Sequence, residues 1–179
     1  MVHIYTEEHK GAEAVRLVSL AKSDSGCRGA ELRSVHMRLG ELMGAELEKA
    51  VGTGDTVIIV MLTGAVPLAF GVGTVLDTKM LFYDPHNADP FPDVAEANVV
   101  IVDEVINSGE SVREIAEHYA TGHSVTLVTT VMPDDSEAFR FPYEIYTFRV
   151  SNHRYVGAMT KKRSGNTGPD TSARLYARI

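Results

Sequence analysis

Short apolar runs alternate with segments of helical period along this chain. The apolar runs have the length of buried strands, and they cover Thr56–Leu62, Lys79–Asp84, Asn98–Val102, Ser124–Met132 and Glu144–Val150. Between them, the spacing of apolar residues predicts a long helix from Cys27 to Val51, a helix starting near Pro67 and a helix over Ser111–Tyr119. This alternation predicts an α/β fold, in which helices flank a mostly parallel sheet.

The composition fits one globular domain covering residues 1–179, because 44% of the residues are apolar and 23% are charged. No apolar run reaches the ~20 residues that span a bilayer, and the first residues are too polar for a signal peptide. With a single cysteine, these features predict a cytoplasmic protein that has no disulfide and does not contact a membrane. The net charge of -7 argues against a nucleic-acid partner but not against a small anionic ligand.

Ligands of parallel α/β sheets bind beyond the carboxyl ends of the strands. This rule selects three places in the chain, namely the turn after Leu62, the loop after Tyr83 and the turn after Val102.

The third place has the most informative sequence, VVIVDEVINSGESV, which covers Val99–Val112. A buried strand leads to Asp103 and Glu104, and a turn with Gly109 then leads into a helix. The first N–H groups of a helix favour an anion, and glycine lets a phosphate approach the backbone closely. The two acids can accept hydrogen bonds from hydroxyls or hold a cation. The stretch therefore favours a sugar phosphate as ligand.

A simpler interpretation of the same residues is a capping box. In that case Ser111 is the N-cap, Glu114 reaches back to its amide, and the two acids are solvated. The two interpretations are compatible, because a cap and a phosphate use different N–H groups.

The stretch resembles the ribose-5-phosphate-binding motif of type I phosphoribosyltransferases, in which an apolar strand is followed by two acids and a glycine turn flanked by hydroxyl residues. The matching residues are Asp103, Glu104, Val105, Ile106, Asn107, Ser108, Gly109, Glu110 and Ser111. The resemblance implies that Asp103 and Glu104 are the catalytic residues that hold the ribose of 5-phosphoribosyl-1-pyrophosphate. It also implies that the residues from Asn107 to Ser111 hold the 5-phosphate.

Within that family the chain looks most like uracil phosphoribosyltransferases. The turn Met61–Ala69 matches their pyrophosphate loop, and Ile145–Gly157 with Thr167–Tyr176 resembles a C-terminal flap that binds uracil. The resemblance implies that the substrates contact Thr63, Gly64, Ala65, Tyr155, Val156, Gly157 and Asp170. It further implies Mg²⁺ as cofactor, with Asp170 facing the metal, and a homodimer that transfers phosphoribosyl groups to a nucleobase, with uracil as the expected base.

The pyrophosphate loop departs from this pattern, because Leu62 stands where the family usually has an arginine. No lysine or arginine occurs between Lys49 and Lys79. The basic residues of the segment before the flap's glycines, Lys161, Lys162 and Arg163, are our candidates to replace that charge.

Two other classes of function remain open. A non-catalytic protein that binds or senses phosphoribosyl ligands fits the missing arginine. A different phosphate-binding α/β enzyme, such as a kinase or a phosphatase, fits the fold, although the chain has no GxxxxGK[ST] motif.

Overall fold

A computed structural model describes residues 1–8, 11–52, 54–87, 90–156, 159–162, 167–169 and 171–176. Within this part of the chain, no helix is both long and apolar enough to cross a membrane.

The centre of the molecule is a sheet of six strands, all paired in parallel. Its strands are β1 (Val2–Ile4), β2 (Thr56–Met61), β3 (Lys79–Tyr83), β4 (Asn98–Val102), β5 (Ser124–Pro133) and β6 (Glu144–Ser151). The spatial order is β1-β6-β5-β4-β2-β3. All five strands predicted from the sequence are present with ends within one residue, which confirms the predicted fold class. β1 was not predicted, since three residues give too short a pattern.

Helices flank this sheet, as the alternating pattern predicted. They are α1 (Tyr5–Glu8), α2 (Ala12–Ala21), α3 (Gly29–Val51), α4 (Val66–Leu76), α5 (Glu110–Tyr119) and α6 (Thr171–Leu175). The long helix α3 presents Leu32, Leu39 and Met43 to the core at helical spacing, and all three are fully buried.

Helices α3 and α4 approach each other closely where two glycines meet. A Cβ on Gly71 would overlap the carbonyl oxygen of Met37, and a Cβ on Gly40 would overlap that of Leu68. The absence of a Cβ at Gly71 therefore allows the two helix backbones to come this close. This contact fixes α4, whose first turn follows the loop at the carboxyl end of β2.

A second, antiparallel sheet follows β6 in the region of the expected flap. It contains β7 (His153–Val156), β8 (Met159–Lys162) and β9 (Thr167–Pro169) in that order. Helix α6 comes next in the chain and returns to the central sheet.

The order of the strands determines where a ligand can bind. From β2 the chain passes to β3 on one side, and then returns to β4 on the other side. The connections therefore diverge between β2 and β4, which leaves a crevice at the carboxyl ends of these two strands.

Candidate functional site

A cavity of about 270 Å³ occupies this crevice. Its walls are Leu62, Thr63, Gly64, His86, Asp103, Glu104, Val105, Asn107, Thr171 and Ser172. All three places selected from the sequence contribute to it, because parallel strands end at the same edge of the sheet. Helix α6 supplies the remaining wall.

A second cavity of about 100 Å³ lies against the turn before α5. It is bounded by Asp103 and by residues 105–112. Asp103, Val105 and Asn107 belong to the walls of both cavities, so the two spaces adjoin. The structure therefore brings the acids, the glycine turn and the turn after β2 together around one site.

Asp103 and Glu104 directly follow β4, and burial raises the pKa of both carboxyls. The pKa of the Glu104 carboxyl is raised to about 7, mainly by burial and also by the neighbouring Asp103, while hydrogen bonds from Thr130 and Thr171 act in the opposite direction. Burial likewise raises the pKa of Asp103 to about 7, against the backbone amides of Val105 and Glu104. Both acids therefore ionise near neutral pH.

Strand β5 extends beyond β4 and holds the turn that carries the acids. The hydroxyl of Thr130 donates to the carbonyl oxygen of Glu104 at 2.6 Å and to its Oε1 at 3.0 Å. Thr129 donates to the same carbonyl at 3.0 Å, and its hydroxyl accepts from the amide of Ile106 at 3.3 Å. The Glu104 backbone is thus fixed from the adjacent strand.

The capping box at Ser111, which was the simpler interpretation of the sequence, is not formed. Helix α5 begins at Glu110, and its N-cap is Gly109, which has no side chain to form a cap. The hydroxyl of Ser108 instead accepts from the amide of Glu110 at 3.3 Å, and Ser111 is exposed. The left-handed backbone of Gly109 starts the helix earlier than the capping pattern predicts. The first turn of α5 therefore faces the second cavity with a glycine as its N-cap.

Gly109 is required by the backbone and by packing behind the turn. It has φ +95°, and a Cβ there would lie 2.9 Å from Phe141 Cζ and 3.3 Å from Ala138 Cβ. The glycine therefore lets the turn pack against Phe141, in addition to the phosphate approach predicted from the sequence.

The turn after β2 lies opposite the acids. Its Leu62–Thr63 peptide is cis, and the Leu62 amide donates to Tyr83 O at 2.8 Å. A Cβ on Gly64 would lie 2.8 Å from Ser172 Oγ and 3.5 Å from Glu104 Cβ. Thr63 and Gly64 line the large cavity, whereas Ala65 is buried and is the N-cap of α4. Glycine at position 64 allows α6 to close on this turn.

Helix α6 is held in place by Arg174, whose contacts were not predicted from the sequence. Its guanidinium donates to the carbonyl oxygens of Ala21 at 2.6 Å, Lys22 at 2.8 Å and Cys27 at 3.4 Å. Tyr176 then donates to Thr63 O at 2.7 Å. Both residues lie within Thr167–Tyr176, the stretch that resembles part of the family's flap, and that resemblance was the available signal.

His86 is a wall residue that the sequence did not single out. The loop after Tyr83 was selected as a place for a ligand. Its composition is acidic, and nothing in its sequence distinguished the histidine from the other polar residues. Because β3 pairs with β2 in parallel, the start of this loop lies beside the turn after β2.

Several predicted residues lie in the flap. The backbones of Tyr155 and Val156 are in β7, whereas Gly157, Arg163 and Asp170 lie outside the described residues. Their predicted roles in binding the base and Mg²⁺ stay predictions.

The described residues contain no group of three or more histidine, cysteine or acidic side chains that could hold a metal ion. Mg²⁺ commonly uses one or two carboxylates together with substrate phosphates and water. The pair of Asp103 and Glu104 fits that kind of site, although it would not form a complete protein cage.

Known proteins resemble this chain in fold, whereas no match was found at the level of sequence families. No protein-family model matches it, and no curated protein matches its sequence. Among solved structures, the AQ2163 protein from Aquifex aeolicus is 17% identical and aligns over 99% of this chain and 98% of its own, with a TM-score of 0.69.

Two further structures align over about two thirds of this chain. A hypothetical protein from Neisseria gonorrhoeae with bound ppGpp is 14% identical, with 66% of this chain and 80% of its own covered and a TM-score of 0.51. A hypoxanthine-guanine phosphoribosyltransferase from Bacillus anthracis is 12% identical, with 67% and 81% covered and the same TM-score of 0.51. The chain has the type I phosphoribosyltransferase fold, with a six-stranded parallel sheet flanked by helices.

Proposed function

We propose that this protein binds 5-phosphoribosyl-1-pyrophosphate and transfers its phosphoribosyl group to a nucleobase, with uracil as the expected acceptor. The observation that carries the proposal is the pair of adjoining cavities with Asp103 in both walls. The smaller cavity suits the 5-phosphate, because it faces the first turn of α5, whose N-cap Gly109 has no side chain. The larger one has room for the ribose and the pyrophosphate.

In this reaction the bond between ribose C1 and the pyrophosphate oxygen breaks, and the electron pair leaves with pyrophosphate. A ring nitrogen of the base forms the new bond to C1 and loses its proton to solvent. Positive charge develops on the ribose, and ionised Asp103 and Glu104 would stabilise it electrostatically. The hydrogen bonds from Thr130 hold Glu104 in position before the substrate binds.

Mg²⁺ would offset the charge of the leaving pyrophosphate. Asp103 and Glu104 are the described carboxylates that could hold it together with substrate oxygens, and Asp170 is the further candidate from the sequence.

The direct test is pyrophosphate release from the donor in the presence of Mg²⁺ and a panel of bases that includes uracil, hypoxanthine and guanine. Turnover with one base alone would identify the acceptor. Donor binding without turnover, for every base, would contradict the proposed transfer.

The acids are tested by Asp103→Asn and Glu104→Gln, which remove charge and keep shape. A lost charge-assisted hydrogen bond is worth roughly 1.5–3 kcal/mol, or about 10- to 100-fold in rate. We expect kcat to fall by this factor while the Kd of the donor changes less. Glu114→Gln, on the exposed side of α5, is the matched control.

A second candidate is a protein that binds a phosphorylated ribose without transferring it. The walls of the large cavity contain no lysine or arginine among the described residues, which favours this candidate. The Neisseria gonorrhoeae protein is of similar fold and carries ppGpp. Binding of ppGpp or of the donor, without turnover for any base, would select this function. A homodimer remains a prediction from the resemblance, which analytical ultracentrifugation would check.

A further inference from the structure

His86 has an unusual position among the described basic side chains, because it belongs to the wall of the large cavity together with Thr63, Gly64 and the two acids. The other ionisable groups of the described wall are the carboxyls of Asp103 and Glu104. A pyrophosphate entering this cavity would thus meet two carboxyls and one imidazole. The other polar side chains of the wall are those of Thr63, Asn107, Thr171 and Ser172.

A preformed turn places His86 there. The amide of His86 donates to Asp84 Oδ1 at 2.9 Å, and the amide of Asn87 donates to Asp84 O at 3.1 Å. Both bonds order the chain directly after β3. Strand β3 is paired with β2 up to Met61 and Tyr83, so the turn that carries His86 lies next to the turn Leu62–Ala65.

The imidazole is also available to a ligand. His86 is exposed, and its ring has no hydrogen-bond or ion-pair partner among the described residues. In contrast, the ring of His123 bonds to Glu96 O at 2.7 Å and the ring of His3 bonds to Glu144 at 2.7 Å.

Charge balance indicates which part of a ligand would use this group. The pyrophosphate of the donor carries several negative charges, and the turn after β2 offers it backbone N–H groups and one hydroxyl. We propose that His86 binds the pyrophosphate group of the ligand, because it is the basic side chain that the described cavity wall offers to this anion. This inference rests on the proposed function, since it assigns a residue within the same site.

The test compares ligands with and without the pyrophosphate. Calorimetry would measure Kd for 5-phosphoribosyl-1-pyrophosphate and for inorganic pyrophosphate, each with Mg²⁺, and for ribose-5-phosphate. In His86→Gln we expect Kd for the two pyrophosphate ligands to rise about 10-fold, in line with one charge-assisted hydrogen bond. Kd for ribose-5-phosphate should stay within about twofold, and His86→Arg should restore binding of the pyrophosphate ligands.

His118→Gln is the matched control, because His118 is exposed and lies in the wall of a different cavity. Unchanged binding of both pyrophosphate ligands in His86→Gln would overturn the inference, and so would an equal loss for all three ligands. Failure of the wild type to bind ribose-5-phosphate would instead contradict the proposed function.

The same measurements separate His86 from the basic flap residues. If Lys161, Lys162 and Arg163 supply the charge alone, their triple replacement by Gln weakens pyrophosphate binding and His86→Gln has no effect. That result would also overturn the assignment of His86.

Discussion

His36 Nε2 lies 4.0 Å from Glu104 Oε1, and both residues are buried. This separation is too long for a hydrogen bond. Neither ring nitrogen of His36 has a hydrogen-bond partner in the described structure. Burial, and then the charge of Arg174, lower the pKa of His36 to about 3, so the ring is neutral at physiological pH. A neutral histidine thus stands beside a carboxyl whose pKa is raised.

The raised pKa of Glu104 predicts that its contribution to stability decreases as pH rises. The folded state holds the proton up to about pH 7, whereas the unfolded chain releases it near the ordinary value of 4.5. The contribution is therefore complete below pH 4.5 and is lost as pH rises through 7. We expect the stability advantage of wild type over Glu104→Gln to fall by about 1.4 kcal/mol per pH unit at most between pH 5 and 7. Urea unfolding at each pH measures this, and a constant difference would contradict it.

His36→Leu should have the opposite pH dependence. In wild type the unfolded chain binds a proton below the ordinary pKa of 6.5, and the folded chain does so only near 3. Wild type therefore loses stability as pH falls through this range, and the variant should lack that loss, which is about 1.4 kcal/mol per pH unit at most. At pH 7.5 the variant should be as stable as wild type or up to ~2 kcal/mol more stable, because it removes unsatisfied polar atoms. A strongly destabilised variant at pH 7.5 would mean that the ring is satisfied.

Gly71→Ala tests the close contact of α3 and α4. The new methyl group would overlap Met37 O, a backbone atom that cannot rotate away, so the helices must separate. We expect a loss of about 1–3 kcal/mol or more in the free energy of unfolding. Gly122→Ala is the control, since a Cβ there meets nothing within 4 Å. Equal stability of the two variants in denaturant would show that the contact is looser than described.

Arg174→Met removes the guanidinium and keeps an apolar side chain of similar length. Three carbonyl oxygens of residues 21–27 lose their donor, and α6 loses its attachment. We expect a cost of about 2–4 kcal/mol and faster hydrogen exchange in α6 than in the central strands. Arg16→Met on the exposed side of α2 is the control. Slow exchange in α6 of the Arg174 variant would mean that other contacts hold the helix.

The sequence predicted the elements whose burial repeats along the chain. The strands ending at Met61 and Val102 are continuous apolar runs because helices cover the sheet, and their ends identified the site. The helix α5 was predicted to within one residue, but its cap could not be decided from the sequence, because the residues around Ser111 also satisfy a capping box. The left-handed backbone at Gly109 settles the question, and the side chain of Phe141, which is distant in the sequence, packs against this glycine.

The residues that sequence reasoning missed reach the site through long-range contacts. His86 lies in a loop whose composition is acidic, and only the pairing of β3 with β2 brings it beside Thr63. His36 belongs to the apolar stripe of α3, where its spacing resembles that of a core residue. Nothing in its local sequence indicates that Glu104 is its neighbour.

The attachment of α6 also has a kinetic consequence. The contact of Tyr176 with Thr63 joins residues 113 positions apart, and that of Arg174 with Ala21 joins residues 153 apart. Contacts between such distant residues form late, because large loops must close first. During refolding, the helical circular dichroism signal should therefore return before the protein can bind its ligand. The order of these two signals would identify closure of the pocket as one of the last steps in folding.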